Sequence, residues 1–146
     1  MNSERQMNDN NRLIEDILKY VNRRETPQEL IELFKVGGII NRVANEGGAR
    51  AHQLRRFYDY LVSLQDKQKI QGPRINENAI RFQVLRMIPL ANYSSSSKKK
   101  LLPEILKDFI SKSAEEVAKK NGEEFVSALE RFRNVFEAII AFRGGE

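Results

Sequence analysis

Two adjacent arginines, Arg55 and Arg56, with Lys67, Lys69, Arg74 and the run Lys98-Lys99-Lys100, are the side chains of this sequence best suited to chemistry, and that chemistry is phosphate binding. Arginine presents a planar fork that binds phosphate oxygens bidentately, and lysine acts as a mobile point charge. The alternative for each is ordinary solvated helix surface, with Arg55 paired to Asp59 one turn further on. Catalytic chemistry has less to work with. His52 is the only histidine, and its neighbours Ala51 and Gln53 supply no metal ligand, so a capping or surface role is the simpler reading. Asp59 and Asp66 each lie beside cations on the third helix, where solvated i, i+4 pairing is the simpler account, and the carboxylates form no pair at metal-binding or acid–base spacing inside an apolar segment. Ser94 to Ser97 lack a G-x-S-x-G elbow and a partner base, and no glycine pair fits a P-loop or dinucleotide fingerprint. The chain has no cysteine, which excludes disulfides, thiolate zinc sites, iron–sulfur clusters and a cysteine nucleophile together. The expectation is a protein that is not an enzyme and holds no metal and no cofactor.

The distribution of charge strengthens the phosphate reading. Net charge is +5, but residues 1 to 40 carry −1, residues 101 to 146 carry −2, and residues 41 to 100 carry +8, with 12 Lys/Arg against 4 Asp/Glu. Positive charge concentrated in the middle of the chain builds a local field that attracts a polyanion, and nucleic acid is the first such partner. The sequence has neither the aromatic strands of an RNA-binding sheet nor a recognition helix with a clear turn signature. Contact with the nucleic-acid backbone, without sequence reading, is therefore expected.

The elements that position these residues are all helical, because every periodic segment repeats at 3.6-residue spacing. The expected fold is all-α, a compact bundle of five to six helices in a single domain over residues 1–146, with residues 1–9 as a mobile polar arm. Leu13, Ile14, Ile17, Leu18 and Val21 mark a first helix, with Asp9 or Asn10 as its cap. Thr26-Pro27-Gln28-Glu29 is a capping box with proline at the first helical position. The helix it opens meets Gly37-Gly38, where it kinks, and ends at Gly47-Gly48. A third helix, from about Ala51 to Ile70, places Leu54, Phe57, Tyr58, Leu61, Val62 and Leu64 on one side and Arg56, Tyr60, Ser63 and Lys67 on the other, which leaves Tyr60 among exposed cations. Gln71-Gly72-Pro73-Arg74 is a turn, and Asn76 caps a fourth helix.

That fourth helix carries Ile80, Val84, Met87 and Ile88 on one side, with Phe82 and Leu85 projecting elsewhere. It is either the central helix of the bundle or an element that a second subunit helps to bury, in which case Phe82 and Leu85 form an interface. Pro89 ends or bends it, and Ser94 to Lys100 read as a loop or frayed helix start, since four serines do not pack a core and three lysines repel. A fifth helix has Pro103 in its first turn and Asn121-Gly122 as its stop. A sixth places Phe125, Leu129, Phe132, Val135, Phe136, Ile139, Ile140 and Phe142 on one broad stripe. The N-terminal residues contain no apolar signal region, and no segment has the roughly 18 apolar residues of a membrane span, so a cytoplasmic protein without membrane contact is expected.

Three segments resemble landmarks of one family: Gln53-Leu54-Arg55-Arg56-Phe57-Tyr58-Asp59-Tyr60, Ile88-Pro89-Leu90-Ala91-Asn92-Tyr93, and the stretch from Phe132 to Phe142. In order and spacing they are similar to the small subunit of type III-A CRISPR–Cas effector complexes, over the region from Thr26 to the C-terminus. The resemblance implies an all-helical, non-catalytic subunit, present in several copies side by side, that helps hold crRNA and target RNA beside the other effector subunits. It also implies that cleavage of the target belongs to a neighbouring backbone subunit. Arg55 and Arg56 match basic positions of the first landmark. After Tyr93 the family tends to have small residues followed by an arginine, whereas this chain has four serines and three lysines. A helical adapter for an acidic protein and a DNA-binding regulator reading through the third helix are the competing functions.

Overall fold

The computed structural model describes residues 2–23, 25–46, 51–71, 76–96 and 98–144, and among these it contains helices and no strand. In chain order the helices are α1 (Asn2–Asn22), α2 (Pro27–Phe34), α3 (Ile39–Asn45), α4 (Ala51–Gln71), α5 (Glu77–Leu85), α6 (Met87–Ser94), α7 (Glu104–Ala118) and α8 (Gly122–Arg143). The six expected helices are present, two of them broken, into α2/α3 and α5/α6.

The local signals account for most boundaries. Thr26 Oγ1 accepts the Glu29 amide at 3.3 Å while Glu29 Oε1 accepts the Thr26 amide at 3.1 Å, which satisfies two orphan donors at the start of α2. Gly37, at φ +77°, takes the left-handed turn that separates α2 from α3. Asn76 Oδ1 accepts the Asn78 and Ala79 amides and caps α5. The second break falls between Leu85 and Met87. Pro89 has no N–H to offer the Leu85 carbonyl four residues back, and its ring crowds that carbonyl, so α5 ends at Leu85. The glycines at 47–48 and the turn at 72–74 lie outside the described residues.

Two boundaries differ from expectation. α1 begins at Asn2, not at Asp9 or Asn10, and backbone expected to form an arm is helical. Nothing between Asn2 and Asp9 is a glycine or proline, so the weak helix propensity of Asn and Ser is the only local opposition, and the amphipathic stretch that follows overrides it. α7 ends at Ala118, three residues before Asn121-Gly122, and Gly122 opens α8.

The core is built on α7 and α8, which pack against each other; α8 also meets α1, α3 and α4, and α7 also meets α1, α5 and α6. Phe109 of α7 sits edge-on to Phe132 and Phe136 of α8, with ring centroids 5.6 and 5.4 Å apart. Every residue of the α8 stripe from Phe125 to Ile139 is buried. The fourth sequence-expected helix is therefore not central. Ile80, Val84 and Met87 face the core, but Phe82 is 61% and Leu85 37% exposed, because no other described helix reaches their side.

Candidate nucleic-acid interface

A cleft of about 380 Å³ opens between α4 and α6. α4 contributes Gln53, Arg56, Phe57 and Tyr60; α6 contributes Leu90, Tyr93 and Ser94; the following loop closes one end with Lys99 and Leu101. At its floor the buried Gln53 Nε2 donates to Ser94 Oγ at 2.7 Å, a bond that clamps the two helices together. Ser94 is thus a core residue, contrary to the reading of all four serines as loop: a single hydroxyl is tolerated inside because it meets one amide. Ser97 lies outside the described residues.

The loop is drawn back onto α6. The Leu101 amide donates to the Ser94 carbonyl at 2.8 Å and the Lys100 amide to the Ser96 carbonyl at 2.9 Å, with Lys100 in the left-handed region at φ +49°. This reversal carries the Lys99 ammonium to 5.5 Å from the ring centroid of Tyr93, a cation–π contact. Tyr60 forms the side of the cleft. Its hydroxyl donates at 2.8 Å to Gln83, whose carbonyl and Oε1 both lie at that distance, so it is not an aromatic stranded among cations but a tie from α4 to α5. Burial pushes the Tyr60 phenol above its ordinary pKa, and the neighbouring Arg86 opposes that shift.

The expected phosphate ligands separate into groups. Arg56 and Lys99 come together on the cleft, with Arg55 exposed beside one and Lys98 and Lys100 exposed beside the other. Lys67 and Lys69 are exposed on the same helix but lie about 16–20 Å further along its axis. Arg74 lies outside the described residues. None of the ion pairs among the described residues includes any of these cations, and the pairing of Arg55 with Asp59, the alternative to phosphate contact, is not formed. His52 is exposed near the start of α4, and no group of three or more His, Asp or Glu among the described residues could hold a metal ion. No helix of the described residues is long and apolar enough to cross a membrane.

Sequence reasoning missed a different use of arginine. Arg81 Nε donates to the Ala118 carbonyl at 2.8 Å, Arg131 Nε to the Val21 carbonyl at 3.1 Å, and Arg143 Nη1 to the Ala44 carbonyl at 2.9 Å. Each satisfies carbonyls left open in the last turn of another helix, α7, α1 and α3 respectively. Arg81 belongs to the strongly basic middle block, so part of that excess charge is structural. Arg86 was also missed; it is exposed, its charge acts on the Tyr60 phenol, and it adds to the positive field of the cleft.

The fold and cleft define a class: a small all-helical protein whose cleft cations form no ion pair among the described residues. Residues 38–143 match the family model Csm2 Type III-A, so the chain belongs to that family and is a subunit of a type III-A CRISPR effector complex, part of antiviral defence. The match begins at Gly38, and α1 and α2 lie outside it, whereas the resemblance in the sequence extended back to Thr26. The comparisons found no similar protein among curated sequences and no similar solved structure.

Proposed function

We propose that this subunit holds the crRNA and target RNA of its complex by their sugar–phosphate backbone, without reading sequence and without cleaving RNA. The observation that carries the reading is the convergence of Arg56 and Lys99 on one open cleft, flanked by exposed cations that form no ion pair among the described residues. Unpaired cations on a surface are available to phosphates, whereas paired ones must first lose their partner. Lys67 and Lys69 extend the basic surface along α4, and Arg74 is assigned to the same contact. Self-association through Phe82 and Leu85, together with contact to the other effector subunits, completes the proposal; leaving a large apolar side chain in water forgoes about 1.5–3 kcal/mol.

Replacing Arg55 and Arg56 together by alanine tests the backbone reading. Affinity for single-stranded RNA should fall for all sequences alike, with a shallower dependence on salt, because phosphate contacts position a strand without identifying its bases. Unchanged affinity in the folded variant overturns the assignment, a loss confined to one sequence points to base readout, and preference for duplex DNA favours the regulator reading.

A further inference from the structure

Phosphate binding accounts for the cations of the cleft but not for its apolar lining. Leu90 is 42% and Tyr93 61% exposed, and both face a cavity whose floor is the polar Gln53–Ser94 pair. At about 380 Å³ the cavity sits at the lower end of the range for small-molecule sites, with room for one flat aromatic group. Arg56 stands on one wall and Lys99 on the other.

We propose that the cleft takes up one unstacked nucleobase of single-stranded RNA, its face against Tyr93 and Leu90 and its flanking phosphates on Arg56 and Lys99. This rests on the RNA-binding reading of the same surface and adds to it a place for a base. Stacking on an aromatic ring is tolerant of sequence, because every base has a π-face, so the site is consistent with a subunit that binds any guide and target. Lys99 covers Tyr93 through a contact at an exposed position, which a base replaces while the ammonium moves to a phosphate. The charge on the two walls selects a nucleotide over an apolar peptide side chain, and the cavity is too small for a helix.

The test compares two labelled RNAs of equal length by fluorescence anisotropy, one with bases and one with abasic ribose at every position. Tyr93→Ala should weaken binding of the base-bearing RNA by about 5- to 150-fold and leave the abasic strand nearly unaffected, while Tyr93→Phe keeps wild-type affinity for both. Equal wild-type affinity for the two RNAs, or an equal effect of Tyr93→Ala on both, overturns the base site. Arg55→Ala with Arg56→Ala separates the two readings: a loss on both RNAs upholds backbone binding even where the base site fails, and no loss on either overturns the backbone reading itself.

Discussion

Arg81 donates through Nε to the Ala118 carbonyl at 2.8 Å and through Nη2 to the Lys120 carbonyl at 2.6 Å, so one side chain of α5 closes the C-terminal end of α7. The same guanidinium bonds Glu77 Oε2 at 3.0 Å, contacts Asn78 and Asn121, and lies over the Phe125 ring at 5.1 Å. Glu77 Oε1 in turn accepts the Gly122 amide at 2.9 Å. Two residues of α5 one turn apart thereby hold the backbone of the α7–α8 turn at Ala118, Lys120 and Gly122.

The first prediction concerns this clasp. Arg81→Ala removes charge-assisted bonds and leaves half-buried carbonyls and the Glu77 carboxylate without it, so it should cost about 1.5–3 kcal/mol or more. For a chain of this size that is a fall in Tm of several degrees, since 1 kcal/mol moves Tm by about 2–4 °C. Lysine cannot reproduce the fork, so Arg81→Lys should restore only part of the loss. Arg55→Ala, at an exposed position without a partner, should stay within about 0.5 kcal/mol. Urea denaturation of the three variants measures the free-energy changes and thermal melts the shift in Tm, and equal midpoints for Arg81→Ala and wild type would overturn the clasp.

What the sequence made legible follows from the range of the forces involved. Caps and apolar periodicity act over three to eight residues, so the Thr26 capping box, the Asn76 cap and the α8 stripe were readable along the chain and are found in place. The cleft depends on pairs such as Gln53 with Ser94, 41 residues apart, whose meeting is settled by how α6 leaves the break that Pro89 imposes. Position along the chain also does not distinguish Arg56, which is free, from Arg81, which is engaged by carbonyls 37 and 39 residues away. The exposure of Phe82 and Leu85 was foreshadowed by their angular position on the helix, but whether another helix of the chain covers them depended on where α7 and α8 run.

Glu25 and Glu29 supply the pH prediction. Glu25 Oε1 is buried with no hydrogen-bond donor, and desolvation, followed by the hydrogen bond and repulsion from Glu29, raises its pKa. Glu29 moves the other way, down to about 2, chiefly through side-chain hydrogen bonding with Glu25 and then through the bonds from the Thr26 side chain and amide. A depressed carboxylate contributes stability above its unfolded pKa, near 4.5, and loses it as pH falls toward 2, whereas the raised Glu25 favours folding only while protonated, on the acid side of its own titration. The α2 cap should therefore persist well below pH 4. Carboxyl titration by NMR should show Glu29 ionised to about pH 2 in the wild type and titrating higher in Glu25→Ala, which removes the leading hydrogen bond. A Glu29 that titrates at the same pH in both proteins would disprove the coupling between the two carboxyls.

Phe82 and Leu85 provide the last prediction, because their exposure turns the interface reading into a mutational experiment with opposite outcomes. A side chain already 61% exposed loses little on becoming charged, and Leu85 at 37% only somewhat more, so Phe82→Glu with Leu85→Lys should leave helix content and the unfolding midpoint close to wild type. Were these residues core, two buried unpaired charges would unfold the chain. Wild-type protein should show a mass that rises with concentration in light scattering, since an exposed apolar pair on one helix is the kind of patch that brings copies together. The double variant should remain a folded monomer over the same range. Arg56 and Lys99 lie on a different side-chain set, so single-stranded RNA affinity per protomer should be unchanged in the variant. A wild type that stays monomeric at high concentration would remove Phe82 and Leu85 from the self-association proposal, and circular dichroism showing an unfolded double variant would contradict their exposure.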